Sequence, residues 1–142
     1  MFRAFRIRLI TLTMAAIALV VFAIVGAINV SNYVKLQMSA NSMLNLISEY
    51  NGTIPQNSND LEGKVDVYIS RETPFQTRYF VIRLNDSGGI TDTMTNYVAS
   101  IDADDIFYYA GLTADLKDDT YGNVGPYRYL VKDTDSGKMI TF

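Results

Sequence analysis

The hydrophobic pattern opens with an uninterrupted apolar run over residues 9–30, LITLTMAAIALVVFAIVGAINV, preceded by Arg3, Arg6 and Arg8. At ~1.5 Å per residue the run covers roughly 30 Å, the hydrocarbon thickness of a bilayer, and predicts a membrane-spanning helix. Its polar positions are Thr11, Thr13 and Asn29. Threonines can bond back to helix carbonyls, and Asn29 falls at the headgroup end. The positive-inside rule assigns the basic tip, residues 1–8, to the cytoplasm of a plasma membrane and residues 31–142 to the outside. A cleaved signal peptide would show a core of ~7–15 residues and a small-x-small site. Here Gly26-Ala27 leads into Ile28-Asn29, a poor site. A buried core helix would need a comparably apolar partner segment, and the rest of the chain offers none.

Neither Gly nor Pro interrupts residues 30–50, so a helix is expected to continue over 31–52. Tyr33, Leu36, Ala40, Met43, Ile47 and Tyr50 recur at spacings of three and four. That is an a/d seam, though shorter than a convincing coiled coil. It reads either as a face packed on the chain's own sheet or as a homodimer and signalling interface. Asn51-Gly52 is the expected helix end, with Pro55 soon after. Residues 53–142 read as an outer domain.

Within that domain, 53–73 reads as a polar loop with one possible short strand at 65–69, and Pro74 marks a boundary. Residues 77–84, TRYFVIRL, alternate as a strand: Phe80, Ile82 and Leu84 on one face, Tyr79, Val81 and Arg83 on the other. The turn 85–89 (NDSGG) returns the chain through 90–94. Asp102 is expected to cap a helix over 103–117, with Asp104 and Asp105 in its first turn, Lys117 in its last, and Ile106, Tyr109, Ala110 and Thr113 on one face. Residues 118–126 read as a loop, 127–131 as a strand, 133–137 as a turn and 138–142 as a further strand. The fold class expected is α+β: a transmembrane helix continuing into a long helix packed on a small antiparallel sheet. The arrangement resembles PAS-like and single Cache-like sensor domains without their final strand. Because the chain stops on the apolar run Met139–Phe142, the natural sequence is expected to continue.

Composition narrows the chemistry. The chain has no histidine and no cysteine, so it offers neither an imidazole base nor a thiolate metal site. All acidic residues lie from Glu49 onward. An acidic body argues against nucleic-acid binding, which needs a basic surface. Asp133-x-Asp135-x-Gly137 falls short of a calcium loop, and Gly137-Lys138 of a phosphate loop. No metal site or catalytic residue is singled out.

Ligand-binding candidates are Arg78, Tyr79, Tyr109, Tyr121, Arg128 and Tyr129. An arginine beside tyrosines could clamp a carboxylate or phosphate. The structural alternative for Arg78, Arg83 and Arg128 is stacking on tyrosine or pairing with aspartate across the sheet. Tyr108, Tyr109 and Tyr121 could line a pocket, or could be half-buried core.

The stretch Pro74-Phe75-Gln76-Thr77-Arg78-Tyr79-Phe80, then Arg83-Leu84, the Gly88-Gly89 turn, Tyr127-Arg128-Tyr129 and the strand ending at Phe142, resembles the extracytoplasmic region of a group of bacterial membrane sensor histidine kinases. The resemblance runs along the whole chain through strand and turn patterns. It implies a homodimeric two-component sensor whose remaining parts would be a second membrane helix, often a HAMP-type linker, a helix pair bearing the phospho-accepting histidine, and a domain binding ATP and magnesium. It also implies a response regulator as partner. This chain, lacking histidine, would be the input end, exposed to an unknown ligand or envelope partner. The other reading is a single-pass anchored envelope binding or structural protein; a pilin-like version would have a leader ending in Gly and a Glu in the apolar segment, which are not found. An anchored hydrolase would need an acid–base pair that the spacing does not single out.

Overall fold

The structure, a computed structural model, describes residues 2–55 and 72–142. The possible strand at 65–69 lies outside the described residues. The chain divides into two compact units, Met1–Met38 and Ser39–Phe142.

Helix α1 spans Phe2–Glu49. In the first unit its apolar side chains are exposed, Leu12 at 71% and Phe22 at 78%. With a mean hydropathy of 2.6 over its most apolar window, it is the one helix among the described residues long and apolar enough to cross a membrane. Its polar side chains close on the helix itself: Thr11 Oγ1 donates to the Ile7 carbonyl at 2.8 Å, Thr13 to Leu9 and Ile10, and Asn29 Nδ2 to Val25 at 2.9 Å. Satisfying polar groups internally is what a hydrocarbon surround demands.

The second unit is α+β. After the C-terminal part of α1 come a one-turn helix α2 (Thr73–Gln76), β1 (Val81–Leu84), β2 (Ile90–Met94), α3 (Ala103–Thr113), β3 (Thr120–Val124), β4 (Tyr127–Thr134) and β5 (Gly137–Thr141). The strands form one antiparallel sheet in the order β2-β1-β5-β4-β3. The first and last strands therefore lie side by side, β5 at the centre, with Ile82 opposite Ile140.

Several boundaries differ from those expected; β4 runs on to Thr134 and β5 begins at Gly137, so the turn expected over 133–137 shrinks to Asp135 and Ser136. Residues 118–126 are not wholly loop: 120–124 form β3, a strand added to those expected, in a sheet of five. Gly122 and Asn123 interrupt the strand-favouring Thr120, Tyr121 and Val124, but Gly125, at φ 57, opens a two-residue turn that folds β3 onto β4. The strand expected over 77–84 is regular only from Val81, although Phe80 still exchanges backbone hydrogen bonds with Phe142 at 3.1 and 2.9 Å. Helix α3 stops at Thr113 rather than 117. There Lys138 Nζ takes the carbonyls of Ala114 and Leu116 at 2.8 and 2.7 Å, giving a strand lysine the C-terminal role expected of Lys117. The Asp102 cap is as expected and closes a reciprocal capping box with Asp105.

The alternation in β1 divides the core in two. Phe80, Ile82 and Leu84 join Val98, Tyr109, Ala110, Tyr129, Val131, Ile140 and Phe142 under α3. Tyr79 and Val81 join Leu46, Ile47, Ile54 and Met139 on the α1 side. Phe80 is fully buried, stacked on Phe142 at 4.5 Å and edge-on to Tyr127 at 5.1 Å.

Candidate functional site at the helix–sheet seam

The polar chemistry of the second unit gathers where α1 crosses the sheet. Three ties fix the helix to three different strands. Near its entry, Arg128 of β4 donates Nε to Asn41 Oδ1 at 2.6 Å and Nη1 to Asn123 Oδ1 of β3 at 2.9 Å. Further along, the Ser48 and Thr141 hydroxyls meet at 3.0 Å in the buried interface with β5. At its end, Arg83 of β1 donates Nη2 to the Asn51 carbonyl at 2.9 Å and side chain at 3.1 Å, while Nη1 pairs with Asp92 of β2 at 2.9 Å. The helix thus passes diagonally from β4 over β5 to β1.

Local sequence explains the last tie. Asn51 and Gly52 take positive φ, 56° and 86°. Gly52 N–H bonds the Ile47 carbonyl at 2.7 Å and Asn51 N–H the Ser48 carbonyl at 3.2 Å, a Schellman ending. This turns the Asn51 carbonyl outward, where a guanidinium at the negative end of the helix dipole is favoured. Arg83 sits there because it shares the Tyr79 and Val81 face of β1.

The predicted seam divides along α1. Tyr33 and Leu36 are exposed, at 62% and 70%, in the first unit; Tyr33 accepts a hydrogen bond from Gln37 at 2.7 Å. Ala40 is half-buried. Met43, Ile47 and Tyr50 pack against Tyr79, Val81 and Met139. The spacing did not single out Leu44, Leu46 and Ser48, which are buried with them; a helix facing a sheet buries a wider stripe than an a/d seam.

The six ligand-binding candidates are not brought together. Tyr79 lies under α1, and Arg128, bonded to Asn41, is on that side too. Tyr121, opposite Leu130 in the register, shares it. Tyr109 and Tyr129 lie across the sheet in the α3 core. There the rings of Phe80, Tyr109, Tyr127, Tyr129 and Phe142 form a packed cluster, with centroids 4.5–6.0 Å apart. Arg78 is exposed and lines a separate groove of about 360 Å³ with Phe75, Asn96, Tyr97 and Ser100. A second groove, about 420 Å³, lies among the strand turns beside Asp86, Asp115, Asp133 and Lys138.

Electrostatics at the seam are set by burial. The Tyr79 ring stacks on Tyr97 at 4.6 Å, and its buried hydroxyl has no hydrogen-bond partner among the described residues; burial, then the neighbouring Tyr97, pushes its ionisation well above the usual tyrosine range. Burial likewise raises Tyr109. At the sheet edge the Asp133 N–H, bonded at 2.8 Å, lowers Asp118. Lys132 pairs with Asp119, which raises it. Among the described residues no three Asp or Glu side chains gather as a metal site. The seam's bonds are suited to holding a helix against a sheet. Comparison with family models, curated proteins and solved structures gives no match.

Proposed function

We propose that this chain is the signal-input module of a bacterial membrane sensor histidine kinase, anchored by α1 with its basic tip in the cytoplasm and its sheet unit outside. The observation that carries this reading is the set of three ties, Arg128–Asn41, Ser48–Thr141 and Arg83–Asn51, between the sheet and a helix that contains the apolar run. A sheet displaced by a stimulus moves the helix it grips, and the helix biases a two-state cytoplasmic element in a homodimer. The antiparallel order β2-β1-β5-β4-β3, with one helix between the hairpin and the three-stranded meander, supports the PAS-like or Cache-like reading. Arg78, in its groove, offers an exposed guanidinium to an anionic stimulus. ATP, magnesium and the response regulator belong to the cytoplasmic part of such a kinase.

The gene's reading frame beyond Phe142 tests the proposal. A second apolar stretch followed by a helix with a phospho-accepting histidine is the expected result. A stop codon directly after Phe142 overturns it and favours an anchored binding protein.

A further inference from the structure

We propose that the groove between α2 and the turn after β2 binds a small aromatic monocarboxylate, with Arg78 as its anion clamp. This deepens the reading in which Arg78 meets an anionic stimulus; it rests on that reading for its place in a relay, though not for the binding itself. Arg83 pairs with Asp92 and holds the end of α1, and Arg128 is held by Asn41 and Asn123. Arg78 differs from both. It is exposed and takes part in no hydrogen bond or ion pair among the described residues. The strand pairing of β1 begins only at Val81, so no residue of β2 or β5 lies opposite Arg78.

Both walls of the groove are fixed by contacts outside it. On one side the single turn of α2, closed by the Thr77 N–H on the Thr73 carbonyl at 3.0 Å, presents Phe75, 78% exposed. On the other, the Val98 N–H closes a turn on the Thr95 carbonyl at 3.0 Å, the Tyr97 ring stacks on buried Tyr79 at 4.6 Å, and Val98 is buried in the α3 core. Asn96 and Ser100 line the same space, and their side chains have no hydrogen-bond partner among the described residues. A concave space of about 360 Å³, with two aromatic rings and a few unpaired polar groups, has the size and make-up of a small-molecule site.

The lining selects the ligand. Arg78 is the one charged residue in it, which matches a single carboxylate held bidentately. A phosphate dianion would call for a second cation, and none lines the groove. A free amino acid would leave its ammonium without an acidic partner. The acids nearest in sequence are engaged elsewhere: Glu72 Oε2 accepts from Gln76 at 3.3 Å, and Asp102 Oδ1 accepts from the Asp105 N–H at 3.0 Å. The Phe75 and Tyr97 rings favour a flat aromatic body between them.

The test is fluorine NMR of para-fluorophenylacetate titrated into the full chain in phosphatidylcholine nanodiscs, with empty discs as the control. Saturable binding with a dissociation constant of about 1 mM or below is expected. Arg78→Gln should weaken it at least about tenfold and Phe75→Ala severalfold, with thermal melts unchanged because both side chains are exposed. The neutral amide of the same acid and inorganic phosphate should fail to compete. No saturation by about 10 mM, binding explained by empty discs, indifference to either substitution, or equal competition by the amide overturns the proposal. Equal competition by phosphate overturns it as well, by assigning the groove to any small anion. The readout needs no kinase. A failure here therefore leaves the relay to be judged by the reading frame, and a stop codon after Phe142 leaves the binding standing.

Discussion

Ser48 of α1 and Thr141 of β5 share a hydrogen bond of 3.0 Å between side chains almost completely shielded from water, Ser48 7% exposed and Thr141 not at all. They are separated by nearly the whole sheet unit in sequence, and they join the helix to the centre of the sheet. Removing one partner leaves the other hydroxyl buried and unpaired, which costs about 1–3 kcal/mol, whereas removing both can be nearly neutral. Thr141→Val should therefore destabilise the chain by that amount, and Ser48→Ala with Thr141→Val should recover much of the loss. Chemical denaturation of the full chain in micelles, arranged as a double-mutant cycle, measures this; additive losses would contradict the pairing.

Phe80 tests the other side of the sheet. It is fully buried among Phe142, Tyr127 and Tyr109. Phe80→Ala should cost about 3–5 kcal/mol through lost burial and the cavity left behind. A denaturation loss below about 1 kcal/mol would contradict its place in the core.

Much of this architecture is legible in the sequence because residues 79–84, leading into and through β1, alternate strictly: Tyr79 and Val81 to α1, Phe80, Ile82 and Leu84 to α3. The Asp102 cap and the return through 90–94 are equally local signals. The features that are not legible are set by distant contacts. The β3 stretch Thr120–Val124 is interrupted by Gly122 and Asn123, which disfavour strands, and takes its form from pairing with β4. The division of the tyrosine and arginine candidates requires knowing that α1 covers one face and α3 the other. Tyr79 and Tyr129 look alike as aromatic strand residues, yet they lie on opposite sides. Arg83 reads as a ligand clamp or a cross-strand partner; its grip on Asn51 depends on the left-handed turn that ends α1.

Tyr79 gives a pH prediction. Burial, then Tyr97, raises its ionisation above the usual value of 10.0. Above pH 10 the unfolded chain loses this proton while the folded chain keeps it, so its contribution to stability is fully present below pH 10 and falls as pH rises toward the folded-state value. Tyr79→Phe should flatten that alkaline decline. Because the native hydroxyl is buried without a hydrogen-bond partner among the described residues, the variant should also match or exceed the native stability at pH 7. Thermal melts from pH 7 to 11 check both; a loss above about 1 kcal/mol at pH 7 would mean the hydroxyl is well bonded.

The relay is tested most directly by autophosphorylation of the gene's full-length product in membrane vesicles, with and without two glycines inserted after Ser39. Each interior glycine costs ~1 kcal/mol of helix stability, and two added residues rotate one side of the helix against the other by roughly 200° at 3.6 residues per turn. The sheet's grip through Asn41, Ser48 and Asn51 lies entirely beyond the insertion, so the sheet unit should still fold, checked by an unchanged cooperative melt. The account predicts that autophosphorylation shifts severalfold and no longer responds to variants that break the Arg128–Asn41 tie. A full-length product that does not autophosphorylate, or one whose activity is the same with the insertion as without it, would contradict the account.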